Sequence, residues 1–431
     1  FYCYNQNSDN FCRYIIFFIF LFICERKMKK IIINTSTYKS SKDETTPDFI
    51  NSMIKSLNKK YDQIEIVVLR PMKDIYEEVY FENNYKVVPY RYLWSIKGQT
   101  LWKYGLKPAY DINKLNIIKI LCLFIAQFFS LKKLIKLEKP DFIYSQWFIP
   151  QAFITATIKN KSNIKKFFST YGGDILIVKN MGYLGKKVIN YVIKNTDKFS
   201  AISSLNLSQI NNSLNIKLKK ENKGKVIPLP IDDFFFEYKN SYSQTTKENK
   251  FLSIGRLIEV KGIDLLIDSL NILNQKGFTN FNLQILGDGI DKESLEEKVK
   301  KLNLRDKIKF EGWKNNNEKL KSYNENDVIF ITSKQTKTIM EGGPLTLIEA
   351  MSQKKICICS DSVGYSEHII DGENGILFNS GDAESLYQSI KKYLNLNDYE
   401  RSKMKQKAFE TSLRFKRENI TEELYNYFFS H

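Results

Sequence analysis

The residues best suited to chemistry lie in the last third of the chain. Glu341 and Glu349 stand eight positions apart in EGGPLTLIE, with Gly342, Gly343 and Pro344 directly after the first. Within one helix, about 12 Å of axis would separate them, too far for a carboxylate dyad. With Glu341 on a loop and Glu349 inside a helix that starts near Pro344 and Leu345, they can hold opposite ends of an extended ligand. The two glycines leave backbone amides unobstructed at the helix start, where phosphate oxygens are favoured. Apolar neighbours Leu347, Ile348 and Ala350 argue against Glu349 as a plain surface charge.

A second stretch, FLSIGRLIEVKG, places Arg256 directly after a strand that ends at Gly255, and Lys261-Gly262 before the next helix. Two cations beside a helix amino terminus suit a pyrophosphate, although solvated Arg and Lys are also common in loops. ILGDGI, residues 285–290, lacks the full Gly-x-Gly-x-x-Gly spacing of a dinucleotide site and reads as a tight strand-to-helix turn. The chain has no Asp-x-Asp, the usual metal-bound nucleotide-sugar signature of another transferase architecture, and no metal is expected. With His368 and His431 the sole histidines, mechanisms that need a His pair or a His-rich metal site are nearly excluded.

The elements that must position these residues alternate short apolar runs with helical ones. Strands are expected at 31–34, 64–70, within 139–147, and at 165–174 where the strand runs into a Gly-rich turn, with helices at 48–60 and 117–137. The apolar 117–137 segment reads most simply as a buried helix with a solvated lysine end, with an interfacial helix as the alternative. After a polar stretch without periodicity at 237–250, the alternation restarts and runs through KKICICS at 354–360. Two α/β domains follow, each with a parallel sheet and crossover helices. Expected boundaries are 28–236, a 237–250 linker, 251–412, and a closing helix at 413–431. In KKICICS, Cys357 and Cys359 alternate along a buried strand, so a disulfide framework is not indicated and a reducing cytoplasm fits.

Taken in order, Gly255-Arg256, Lys261-Gly262, Gly287-Asp288-Gly289, Phe310-Glu311-Gly312, Glu341-x7-Glu349 and Asp371-Gly372-x-Asn374-Gly375 resemble the family-4 retaining glycosyltransferases of the GT-B fold, from about Met28 to the end. The resemblance implies two Rossmann-like domains facing each other across a cleft, with a carboxyl-terminal helix packing back toward the first. It implies a nucleoside-diphosphate sugar as donor, a UDP-sugar favoured over a GDP-sugar, and no cofactor. Arg256 and Lys261 would bind the diphosphate, Glu341 the transferred sugar and Glu349 the ribose. Trp313 and Lys314 would lie near the base, and Asp174 would reach the cleft from the first domain. Departures fall in the first half: Gln146 and Tyr171 replace two histidines usual in the family, and the glycine-rich loop is missing from residues 34–47.

The formal charge of +18 is concentrated in the first half. Residues 28–198 hold 29 Lys+Arg against 14 Asp+Glu, whereas 199–431 hold 34 against 32. An anionic membrane surface, met while using a saccharide or lipid-linked acceptor, and a merely solvated lysine-rich surface both account for this. Nucleic acid does not fit, since no Arg-rich or aromatic-interleaved run occurs. Residues 1–27 precede a natural start at Met28 and are expected outside the fold. Their apolar run at 14–24 falls short of the roughly 17–25 residues of a span, and weak membrane association is its alternative role. A GT-B sugar-nucleotide epimerase, a phosphorylase and a catalytically silent binding subunit share the architecture and stay open.

Overall fold

The computed structural model describes residues 28–38, 49–73, 77–93, 101, 113–159, 163–237, 249–336 and 340–430. The 1–27 extension, most of the 237–250 linker and most of the 34–47 loop lie outside these. The first domain is an eight-stranded sheet of β1 (Lys29–Asn34), β2 (Ile64–Pro71), β3 (Tyr80–Glu82), β4 (Tyr85–Tyr90), β5 (Phe142–Gln146), β6 (Lys165–Thr170), β7 (Lys198–Ala201) and β8 (Gly224–Val226). Their spatial order is β3-β4-β2-β1-β5-β6-β7-β8, all parallel except the β3–β4 edge pair.

The second sheet is fully parallel: β9 (Asn249–Ile254), β10 (Phe281–Leu286), β11 (Ile308–Phe310), β12 (Val328–Ile331), β13 (Ile356–Ser360) and β14 (Ile376–Phe378), in the order β11-β10-β9-β12-β13-β14. Its order reverses between β9 and β12, as that of the first sheet does between β1 and β5. Such reversals open a crevice at the carboxyl ends of the strands, which is where ligands settle. Parallel strands buried on both faces explain the continuous apolar runs. In β13, Ile356 and Ile358 face one core layer, while Cys357 and Cys359 face the other, all fully buried.

Two segments cross between the domains side by side. Ile231 and Phe235 pack in the core of the second domain, ahead of the expected boundary at 237, because their apolar side chains fill space beside Tyr323 and Met351. The return crossing follows the helix Asp398–Ser412, and the Ile231 amide donates to the Phe415 carbonyl at 3.2 Å. The last helix, Arg417–Phe428, then buries Ile420, Leu424, Tyr425 and Phe428 in the core of the first domain. Phe167 and Phe428 stack there with centroids 5.1 Å apart.

Candidate active site

Three strand ends of the second domain meet through glycine backbone. The Gly255 amide donates to the Leu286 carbonyl at 2.9 Å, and the Gly287 amide donates to the Gly312 carbonyl at 2.8 Å. A Cβ on Gly287 would sit 1.8 Å from the Gly255 carbonyl oxygen, so only glycine allows β9 and β10 to end this close together. Arg256 follows, exposed to solvent, and a short 3₁₀ turn carries Lys261 back over the β9–β12 crevice. Thr332, just beyond β12, donates its hydroxyl to the Lys261 carbonyl at 2.8 Å and fixes that turn. Gly255, Lys261, Thr332, Ser333, Pro344 and Thr346 together line a narrow crevice at the reversal point.

The structure separates the two glutamates as their spacing required. Glu341 lies on the loop before the helix Leu345–Ser352, and its Oε2 is 2.5 Å from the Lys261 Nζ. Pro344 caps this helix from an extended conformation, one position outside the first turn. Glu349 is buried within the helix, where its Oε2 lies 2.6 Å from the Lys319 Nζ and accepts from the Tyr323 hydroxyl at 2.9 Å. Burial, with this carboxylate beside it, pushes the Tyr323 phenol well up, so it remains a donor. Lys319 also lies over the Phe235 ring, 5.0 Å from its centroid. Neither Lys319 nor Tyr323 was legible beforehand, because the helix Asn316–Glu325 that carries them is polar and bears no motif.

The glycine pair has a second use. Gly342 is buried against the first domain, and a Cβ there would sit 2.7 Å from the Tyr171 carbonyl oxygen and 2.8 Å from Asn206 Oδ1. Around this contact the Gly364 amide donates to the Glu341 carbonyl at 2.9 Å, and the Ser204 amide donates to Glu367 Oε2 at 3.0 Å. The Leu229 amide donates to the Tyr365 hydroxyl at 2.8 Å. The loop that carries Glu341, Gly342 and Gly343 is thus seated directly on the first domain. Trp313 lies beyond β11, strongly exposed, and the Lys314 ammonium sits 3.6 Å from Glu318 and 3.9 Å from Glu311.

On the first-domain side, the two positions that depart from the family are partners. Tyr171 donates its hydroxyl to Gln146 Oε1. Trp147 and Phe49 meet the Tyr171 ring edge-on at 4.6 and 5.0 Å, and Trp147 Nε1 donates to Thr37 Oγ1 at 2.8 Å. Burial raises the Tyr171 phenol well above its ordinary range, which makes it a neutral donor and not a base. Asp174 is buried and its carboxylate is engaged internally. Oδ2 accepts from the Phe148 amide at 2.5 Å, while Oδ1 accepts from the Thr170 hydroxyl at 2.7 Å and the Ile175 amide at 3.1 Å. Burial raises its pKa, and those hydrogen bonds pull the other way. Asp174 therefore ties the ends of β5 and β6 together beside the Tyr171 loop. His368 packs between Tyr365 and Phe415, where burial lowers its pKa and keeps it neutral.

Residues 234–411 match the family model described as Glycosyl transferases group 1. An uncharacterized glycosyltransferase from Methanocaldococcus jannaschii is 28% identical over 61% of this chain and 68% of its own length. A lipopolysaccharide 1,6-galactosyltransferase from Escherichia coli is 30% identical over 40% of this chain and 44% of its own. A Campylobacter jejuni N-acetylgalactosaminyltransferase, named for a diphospho-undecaprenol-linked acceptor, is 30% identical over 42% and 47% respectively. The chain thus spans two thirds of the first of these and under half of the other two. Among solved structures, sucrose-phosphate synthase from Thermosynechococcus elongatus aligns over 92% of this chain and 98% of its own with a TM-score of 0.70 at 14% identity. Anabaena HepE, solved with UDP and glucose, aligns over 94% and 100% with a TM-score of 0.63 at 15% identity. At such identities the likeness speaks for the fold.

Proposed function

Residues 234–411 match the group 1 glycosyltransferase model and the chain takes the GT-B fold, from which we propose that it moves a sugar, with retention, from a UDP-sugar to a saccharide or lipid-linked saccharide of the bacterial cell surface. The observation that carries this reading is the pairing of Lys261 with Glu341 at the β9–β12 crevice, with Glu349 held separately on Lys319 and Tyr323. A donor diphosphate competes for the Lys261 ammonium, and its arrival releases Glu341 to accept hydrogen bonds from the sugar hydroxyls. In this reading Glu349 grips the ribose and the exposed Trp313 covers the base. Named relatives that act on lipopolysaccharide and on a diphospho-undecaprenol acceptor support the acceptor class.

In the proposed step the glycosidic C1–O bond to the diphosphate breaks and the acceptor oxygen bonds to C1 on the same face. The acceptor proton passes to the leaving phosphate oxygen. Charge grows on that diphosphate, and Arg256 and Lys261 stabilise it, which is the main electrostatic term on offer. No side-chain base is needed, in keeping with a neutral Tyr171 and a packed His368. An epimerase or phosphorylase would use the same crevice with a different partner.

The test is a thermal-shift panel of UDP-, GDP- and ADP-sugars on the wild type and Lys261→Ala, followed by product analysis with acceptor. A UDP-sugar shift that Lys261→Ala abolishes is the expected result. Unchanged melting with every donor in the wild type would remove the donor-site assignment. Donor turnover to an epimer without acceptor would replace the transferase reading.

A further inference from the structure

The long helix Asn116–Glu138 is apolar on two opposite sides. Leu123, Leu131 and Leu134 face inward and pack on Ile32, Val67, Leu69 and Ile143 of the sheet. On the opposite side, Ile118, Leu121, Ile125 and Phe129 recur at helical spacing and are 59%, 56%, 59% and 62% exposed. These four cover about 16 Å of helix axis. The same outward row then changes character and continues as Lys132, Lys133 and Lys136, all exposed.

A neighbouring helix extends this surface. Register pairs Ser145 with Phe168, so Ile143 and Phe168 share one face of the sheet. The helix Tyr183–Lys194 covers Phe168 on that face, through Ile189, Val192 and Ile193. Phe153, between the two helices, touches Phe124 on one side at 6.4 Å and Tyr191 on the other at 6.5 Å. Outward, the second helix presents Tyr183 and Leu184, beside exposed Lys186 and Lys187. The two helices together carry seven lysines and one acid, Glu138, which is itself paired with Lys30 and Lys86 at 3.0 and 2.7 Å.

We infer that this two-helix face docks the enzyme on an anionic lipid surface, with the outward apolar turns entering the interface and the lysines meeting headgroups. Charge decides between occupants. A second copy would set like-charged lysine rows against each other, whereas an anionic bilayer complements them. Among the described residues no helix is long and apolar enough to cross a membrane, so the helix lies on the surface. Glu138 sits at the starting end of β1, which places Ile118 and Leu121 at the cleft end of the sheet. A bilayer on this face lies beside the opening through which a lipid-linked acceptor would enter. That benefit rests on the proposed acceptor class, but docking itself is measured without donor or acceptor, so either reading can fail alone.

The experiment is sedimentation of the full chain with phosphatidylcholine vesicles, with and without phosphatidylglycerol. Two variants accompany the wild type, I125D/F129D and K132Q/K133Q/K136Q, with unchanged melting as the folding control. Expected is binding that needs phosphatidylglycerol, is lost in the first variant, and is weakened roughly 100-fold in the second. Wild-type protein that stays in the supernatant at low salt overturns the inference. So does full binding by both folded variants, which would assign it to another segment. A wild-type dimer that I125D/F129D dissociates, with no vesicle binding, would assign the face to a second copy instead.

Discussion

Glu349 offers a cycle that separates fold from function. The carboxylate is buried between the Lys319 ammonium, at 2.6 Å, and the Tyr323 hydroxyl, at 2.9 Å. The Lys319 side chain is 16% exposed and that of Glu349 9%, so Glu349→Ala leaves a nearly buried cation without its partner. Removing one member of such a pair costs about 3–5 kcal/mol, or roughly 6–20 °C in Tm for a domain of this size. The double variant E349A/K319M removes both charges and is expected to regain most of that loss. Donor affinity should not recover with it. One lost charge-assisted hydrogen bond to the ribose is worth about 1.5–3 kcal/mol, an increase in Kd of roughly 10- to 150-fold. Calorimetric titration of UDP into the wild type, E349A, K319M and the double variant, beside their melting curves, completes the cycle. If the double variant regains both Tm and UDP affinity, Glu349 is a structural carboxylate and the two-grip reasoning is refuted.

Three further outcomes test other parts of the site. Gly342→Ala brings a methyl to 2.7 Å from the Tyr171 carbonyl, so about 1–3 kcal/mol of stability should be lost and turnover reduced as the 341–343 loop lifts off the first domain; a wild-type Tm and rate would contradict this seating. Asp174→Asn, read by melting and by kcat against KM, should cost about 1–3 kcal/mol while leaving donor KM unchanged. A collapse of kcat at constant Tm would instead give Asp174 a direct contact with the sugar. Lys355 is 7% exposed, and burial, reinforced by Lys405, pulls its ammonium down to about 8 from an ordinary 10.5. The unfolded chain therefore binds the extra proton between those values, and the penalty is complete below pH 8. Lys355→Met should raise stability by about 2–3 kcal/mol at pH 7, less its lost hydrogen bond to the Asn324 carbonyl, and the gain should shrink as pH rises toward 10.5.

The sequence by itself determined the alternating α/β architecture, because apolar runs such as Ile31–Asn34 and Ile356–Ser360 are legible as strands wherever both faces are buried. It also fixed that Glu341 and Glu349 do not meet, since helical rise and an intervening Gly-Gly-Pro turn are local properties. What it could not supply were the partners. Lys319 and Tyr323 lie 30 and 26 positions before Glu349, and only the packing of one helix against another sets them on the same carboxylate. The Tyr171–Gln146 pair is likewise two separate departures in the sequence, joined by the pairing of β5 with β6. Gly342 could be read locally as freeing amides, yet its close approach to Tyr171 arises only when two domains meet. The 117–137 run reads more simply as a buried helix with a solvated end and leaves an interfacial one open, because apolarity along a segment does not say what covers each side. Tertiary structure answered by packing one row of leucines on the sheet and turning Ile118, Leu121, Ile125 and Phe129 outward. Local chemistry sets which groups are available, and long-range packing sets which of them touch.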